Sequence, residues 1–313
     1  RGIFDFHAAK TLHSRAMMPD WNPTTLIALV VAAETLSLLL FGRANTLWRS
    51  PGMTTQPQRF LLIRSALALL WVHLGAAILA PGGLASNYPA LSLETLPLLA
   101  LGMLGGLGLL LFALSIRSMP AQLVFFGGSL HLVVGVLVGW FLGETLSISR
   151  AIIIGLLLLA QFTVLWNDRF SWRQSWGKGS LLPFAVGAIW GIYFPLLGLA
   201  INRLGFWPSL IASEWAVMLL MLAFAFSRPA GTWRDSSMWR SMTEQSLLSS
   251  LGQALSGLAL MWGGVILHSI LTNFNIVINT YVFNLRFGEA IRARYLLYFA
   301  LYIAFAAALV FSS

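Results

Sequence analysis

Ten runs of 17 to 21 mostly apolar residues divide this chain: 24–41, 60–80, 96–115, 121–141, 149–167, 181–201, 209–227, 246–266, 269–285 and 295–312. Each is long enough to cross the ~30 Å hydrocarbon core of a bilayer as a helix. None shows the period-two alternation of a membrane β-barrel strand. Inside hydrocarbon every backbone N–H and C=O has to be paired within the protein, so runs of this kind are helices. Composition agrees, because 58% hydrophobic and 9% charged residues leave too little polar surface to cover a water-facing domain of 313 residues. The expected fold is an all-α membrane protein of ten transmembrane helices, with the lipid bilayer as the partner of its outer surface.

The net charge of +9 does not point to nucleic acid, because its carriers sit in short inter-helix loops rather than on one polar face. Loops one, three, five, seven and nine hold 13 of the 19 basic residues and the opposite side holds five; Arg64 is left inside the second run. The positive-inside rule then places the basic side in the cytoplasm and both termini outside. Cysteine is absent, which excludes disulfides and thiolate metal sites, and the five histidines show no ligand spacing. No metal or cofactor is expected. Residues 1–23 lack a signal-peptide core and read as an interfacial helix, as appended residues, or as a processed start.

One short pattern occurs twice, 145 residues apart: Phe141-Leu142-Gly143-Glu144-Thr145-Leu146 and Arg286-Phe287-Gly288-Glu289-Ala290-Ile291. Each copy lies between two apolar runs, so residues 24–168 and 181–313 read as two copies of one five-helix bundle, joined by a basic linker at 169–180. Five is odd, so the second copy enters the membrane from the opposite side. That is an inverted repeat, an arrangement that sets a binding site between its halves. The pairs Gly143-Glu144 and Gly288-Glu289 have a structural explanation: glycine ends one helix, and glutamate favours the start of the next.

Chemistry is better sought at ionisable residues inside the runs. Glu34 falls near the centre of the first run, where a carboxylate is protonated, paired or facing a wet cavity. Arg64 and Glu214 sit near the starts of corresponding helices in the two copies, so a zwitterion would find opposite charges if both faced one cavity. His73 and His131 are mid-span and suit either a proton relay or packing. Asn275 and Asn279 share a helix face as interhelical bonds or cavity lining. Trp190, Tyr193 and Trp262 fall within spans where aromatic rings wall an organic solute or simply pack.

The stretch Gly139-Trp140-Phe141-Leu142-Gly143-Glu144-Thr145-Leu146-Ser147 followed by Gly155, and Ala188-Ile189-Trp190-Gly191-Ile192-Tyr193 opening the second half, resemble the drug/metabolite transporter superfamily, in particular its ten-helix EamA-type members. Arg64 and the second Phe287-Gly288-Glu289 add to the likeness. It implies an alternating-access carrier with a central cavity, in a bacterial inner membrane or its equivalent. The chain departs from the family at Glu34-Thr35, where a tryptophan-glycine pair is usual, and at Ala300, which replaces a glycine matching Gly155. Family members usually have cytoplasmic termini, opposite to the basic count.

The expected function is a secondary-active carrier that exports or exchanges a small organic metabolite such as an amino acid or amine, proton-coupled through Glu34. A multidrug or organic-cation exporter, with Arg64 dispensable, is the alternative within transport. A non-transporting subunit of a larger membrane complex that kept the fold is the alternative outside it. Either a homodimer or a complex partner is compatible with the sequence. No P-loop occurs, so direct nucleotide drive is not expected. An enzyme is not expected, because no paired carboxylates, zinc-type histidine pair or nucleophile elbow occurs.

Overall fold

The computed structural model describes residues 22–50, 57–89, 95–119, 121–167, 181–226, 236–288 and 293–311. The N-terminal segment up to residue 21, the 169–180 linker and Glu289 lie outside the described residues. Within them the chain is helical throughout, and no strand occurs. The elements are α1 (Pro23–Thr46), α2 (Pro57–Leu79), the single turn α3 (Gly83–Ser86), α4 (Leu96–Ser118), α5 (Ala121–Gly128) and α6 (Leu130–Phe141). They continue as α7 (Ile148–Asn167), α8 (Leu182–Leu204), α9 (Phe206–Phe226), α10 (Ser236–Thr272), α11 (Asn275–Phe287) and α12 (Ala293–Phe311). Among the described residues seven segments are long and apolar enough to cross a membrane: Pro23–Arg49, Pro57–Leu79, Leu96–Ser118, Leu123–Phe141, Leu182–Leu204, Phe206–Phe226 and Met238–Thr272. This makes the protein an all-helical, multi-pass membrane protein.

Local chemistry sets the helix ends. Asn22 caps α1 by accepting from the Thr24 N–H at 3.0 Å, with Pro23 at the first helical position, where its missing donor costs nothing. Gly143 (φ +85°) and Gly288 (φ +66°) follow the ends of α6 and α11 in the left-handed region that glycine adopts without penalty.

The eighth and ninth apolar runs divide differently from the sequence expectation. α10 begins at Ser236, ten residues before the expected 246, because the polar stretch Ser236–Gln245 is helical although its hydropathy is low. Gly264 (φ +76°, ψ 175°) then breaks the helix, so the following segment runs from Val265 to Thr272 and resumes at Asn275. The first half has the same form: α4 ends at Ser118, and the next span is broken between Gly128 and Leu130. The breaks at Gly128-Ser129 and Asn273-Phe274 are 145 residues apart, the same offset as Gly143 and Gly288.

Packing exchanges the two halves. α1 lies against α10, α11 and α12, whereas α8 lies against α4, α5 and α6; α2 packs on α9 and α10, and α4 on α9. Small residues permit the closest approaches. At Gly187 a β-carbon would lie 2.6 Å from the Gly127 carbonyl oxygen and 2.8 Å from that of Gly128, so α8 presses directly on the broken end of α5. Three apolar clusters hold the bundle, one around Trp48, Phe60, Phe125 and Phe283, a second around Val30, Leu267, Phe274 and Phe305, and a third around Val72, Leu98, Phe206 and Ile211. Large apolar side chains such as Ile78, Phe141, Ile148 and Phe226 point outward, where lipid rather than water suits them.

The two ends of the bundle are closed by different chemistry. At one, Arg49 donates to the Ile116 and Met119 carbonyls, each at 3.2 Å, and its guanidinium lies 5.1 Å from the centroid of Phe283 and 5.5 Å from that of Phe287. It satisfies carbonyls that the end of α4 leaves open and gains cation–π contact with α11. At the other end, the Glu144 carboxylate accepts from the N–H groups of Val265 at 2.7 Å and Ile266 at 2.9 Å.

Candidate functional site

A cavity of about 120 Å³ lies between the helices, walled by α1, α2, α4, α5, α6, α8, α9, α10 and α11. Of the residues singled out in the sequence, Arg64, His131, Trp190, Tyr193, Glu214 and Asn275 line it. Glu34, His73, Trp262 and Asn279 do not.

Arg64 lies deeper than the sequence suggested, because α2 starts at Pro57 and the residue falls in the third turn. It is 4% exposed and donates through Nε to Gln245 Oε1 at 2.7 Å and through Nη2 to Ser249 Oγ at 2.5 Å. Both partners are on α10. Glu214 likewise is not near a helix end, since α9 starts at Phe206; it is 2% exposed, and its Oε2 has no hydrogen-bond partner among the described residues. No ion pair joins Arg64 to Glu214 among the described residues. A guanidinium and a carboxyl group thus share one buried wall, close enough to interact electrostatically, with the guanidinium held by neutral oxygens. Leaving either group charged and without a direct partner in a low-dielectric interior is costly.

Aromatic side chains complete the wall. The Trp190 ring packs 5.2 Å from Phe112, and Phe125 lies 6.0 Å from Phe112. Tyr193 shares a hydrogen bond with the Ser213 hydroxyl at 2.8 Å and accepts a long one from Gln253 at 3.5 Å. His131 stands just after the break in its span, where its Nδ1 donates to the Gly128 carbonyl at 3.0 Å, an oxygen the broken helix leaves open. Asn275 follows the second break, and its Oδ1 has no partner among the described residues.

The remaining candidates have other placements. His73 Nδ1 donates to the Leu69 carbonyl at 2.7 Å, and its ring meets Tyr88 and the edge of Trp215. Trp262 packs beside the second apolar cluster. Asn279 accepts from Asn45 Nδ2 at 2.8 Å and donates to the Asn275 carbonyl at 2.9 Å, a bond between α1 and α11 rather than a cavity contact. Glu144 was expected to start the helix that follows it. That helix begins at Ile148, and the carboxylate instead caps the start of Val265–Thr272 in the other half, where two unpaired N–H groups and the positive end of the helix attract it.

Glu34 is fully buried at the middle of α1, beside the cavity rather than in it. Its Oε1 accepts from the Thr272 hydroxyl at 2.8 Å, and its Oε2 lies 3.7 Å from His268 Nε2. His268 Nε2 is also 2.7 Å from the Ser256 hydroxyl. Thr272 and Ser256 both line the cavity, so they stand between it and the carboxylate.

Sequence reasoning missed His268, which lies 234 residues from Glu34 and carries no spacing signal. It also missed Gln245, Ser249, Gln253 and Ser256. These had a signal: they recur at intervals of four, four and three on α10, one polar stripe facing the cavity in an otherwise apolar helix.

No protein-family model matches the chain, and no curated protein matches it. A solved structure described only as "Crystal structure of protein" is similar over 88% of this chain and 97% of its own length, with a TM-score of 0.61 and 18% identity. At that identity the likeness concerns the fold alone.

Proposed function

We propose that this protein is a secondary-active, alternating-access carrier for a small zwitterionic organic metabolite, such as an amino acid. Its architecture in this reading is ten transmembrane helices in two inverted five-helix repeats, as the resemblance to EamA-type drug/metabolite transporters implies. The observation that carries the reading is a cavity walled by both Arg64 and Glu214, which form no direct ion pair with each other. A solute carboxylate takes the guanidinium, its ammonium takes the Glu214 carboxylate, and Trp190 and Phe112 receive its apolar part. Matching breaks 145 residues apart and the exchanged packing of α1 and α8 support two related halves that rock about this site. The basic loops support a cytoplasmic Arg49 end, and the family resemblance supports an inner membrane or its equivalent.

Counterflow in proteoliposomes, with a panel of amino acids, amines and sugars, tests the proposal. Exchange of at least one zwitterionic amino acid is expected, and Arg64→Ala is expected to remove it. Absence of exchange across the panel by folded protein refutes it. The aromatic wall favours a second reading, an organic-cation exporter. In that case Arg64→Ala leaves cation exchange intact while Glu214→Gln abolishes it.

A further inference from the structure

We propose that Glu34 and His268 together form a one-proton coupling site, set beside the substrate cavity and reached from it through the hydroxyls of Thr272 and Ser256. The coupling role rests on the carrier reading; the proton site itself does not.

The geometry offers a proton two places. Among the described residues Glu34 Oε2 has no hydrogen-bond partner, and it lies 3.7 Å from His268 Nε2, with Glu34 0% and His268 1% exposed. With the carboxylate ionised and the imidazole neutral, the pair carries one negative charge in hydrocarbon surroundings, and one added proton neutralises it. Ser256, 2.7 Å from His268 Nε2, donates to that nitrogen when the ring is neutral and accepts from it when the ring is protonated.

Thr272 links this choice to the helix. Its single hydroxyl hydrogen has two acceptors at 2.8 Å, Glu34 Oε1 and the His268 carbonyl of its own turn. An ionised Glu34 takes that hydrogen and ties α1 to the last turn of α10. A protonated Glu34 donates to Thr272 instead, and the hydroxyl turns to His268. Thr272 is the last residue of α10 before the break at Asn273-Phe274, so the proton alters a contact at a joint between helices.

Two further titratable groups interact electrostatically with the pair, His131 with His268 and Tyr302 with Glu34. On α12, Tyr302 is held by the hydroxyl of Thr35; on α6, His131 is held by Gly128. On α11, Tyr281 is exposed, and Arg43, in the last turn of α1, is paired with Glu244 of α10 at 2.6 Å. Arg64 and Glu214 face the cavity. Two hydroxyls, one carboxylate and one ring nitrogen suit a proton better than a hard metal cation, which takes about six or more oxygens.

Infrared titration of the purified protein in lipid, with the proton as its own probe, tests the site. Acidification is expected to produce a protonated-carboxyl band that is lost in Glu34→Gln, kept but displaced in Glu34→Asp, and titrates at a shifted pH in His268→Gln. Glu214→Gln serves as the control for the other buried carboxyl and is expected to leave this band in place. A spectrum unchanged by Glu34→Gln, or a titration unmoved by His268→Gln, overturns the pair. Sodium that suppresses the band at fixed pH also overturns it, in favour of a metal-ion site. In proteoliposomes, Glu34→Gln is expected to retain amino-acid counterflow and lose accumulation driven by a pH gradient; undiminished accumulation overturns the coupling role. Failure of all counterflow by wild-type protein with an intact Glu34 band refutes the carrier reading and leaves the proton site standing.

Discussion

The carboxylate of Glu144 accepts from the N–H of Val265 at 2.7 Å, joining the loop after α6 to the start of a helix more than a hundred residues later. A second bond to Ile266 at 2.9 Å makes the cap bidentate. Bonds to a charged acceptor contribute about 1.5–3 kcal/mol each, against about 0.6 kcal/mol for an average interhelical polar bond in a membrane. The Glu144 clasp therefore outweighs the Asn45–Asn279 amide bond in holding the two halves together.

Replacing the clasp is expected to loosen that end. Glu144→Gln keeps one acceptor oxygen and loses the charge, so thermal stability in detergent falls by roughly 1–3 kcal/mol. Glu144→Asp, one methylene shorter, is expected to fall by a similar amount, because the two N–H groups no longer reach both oxygens. Thermal unfolding of the variants beside wild type checks both; unchanged melting contradicts the clasp.

Gly264 and Glu144 act as a pair. Gly264 holds φ +76°, and a β-carbon there would lie 3.1 Å from Glu144 Oε1. Gly264→Ala is expected to cost about 1–3 kcal/mol, because φ +76° with ψ 175° is a conformation essentially confined to glycine. A double-mutant cycle with Glu144→Gln is expected to be non-additive by more than about 0.5 kcal/mol, since the two residues touch.

The close approach of α8 to the broken end of α5 predicts a contrast between two glycines. Gly187→Leu places its side chain against the Gly127 and Gly128 carbonyls, and folded protein is expected to be lost or strongly reduced. Gly155 has open space around its missing β-carbon, and Gly155→Ala is expected to change stability by no more than about 0.5 kcal/mol. Size-exclusion yield and melting temperature decide between them.

Arg64 is held by directional bonds to Gln245 and Ser249, and lysine cannot reproduce that fork. Arg64→Lys is expected to weaken binding of a zwitterionic solute by at least about tenfold, or ~1.4 kcal/mol, while leaving the fold intact. Isothermal titration with the solute found by counterflow measures this; equal affinity in Arg64→Lys contradicts a carboxylate contact.

These residues also show what was legible from the chain alone. Helical, membrane-spanning character followed from the length of the apolar runs, and the offset of 145 was visible in Gly143 and Gly288. The start of α10 was not, because the segment Ser236–Gln245 is polar and its helicity depends on partners elsewhere: Glu244 pairs with Arg43 and Gln245 accepts from Arg64. Arg64 and Glu214 stood out because charges inside apolar runs are costly. His268 did not, because its meaning comes from Glu34, and nothing local in the sequence records which helix packs on α1. The cap made by Glu144 was hidden for the same reason: the residue favours a helix start, but the helix it starts belongs to the other half.

The most direct test of alternating access uses the absence of cysteine in the native chain, which makes a single engineered thiol an unambiguous probe. Leu109 lines the cavity and is only partly buried, so Leu109→Cys sets a thiol on its wall. Labelling with a membrane-impermeant maleimide is measured in right-side-out and in inside-out vesicles. Labelling is expected from both sides, with Glu144→Gln raising the rate from the Glu144 side and lowering it from the Arg49 side. Labelling from one side alone, unchanged by Glu144→Gln, contradicts alternating access.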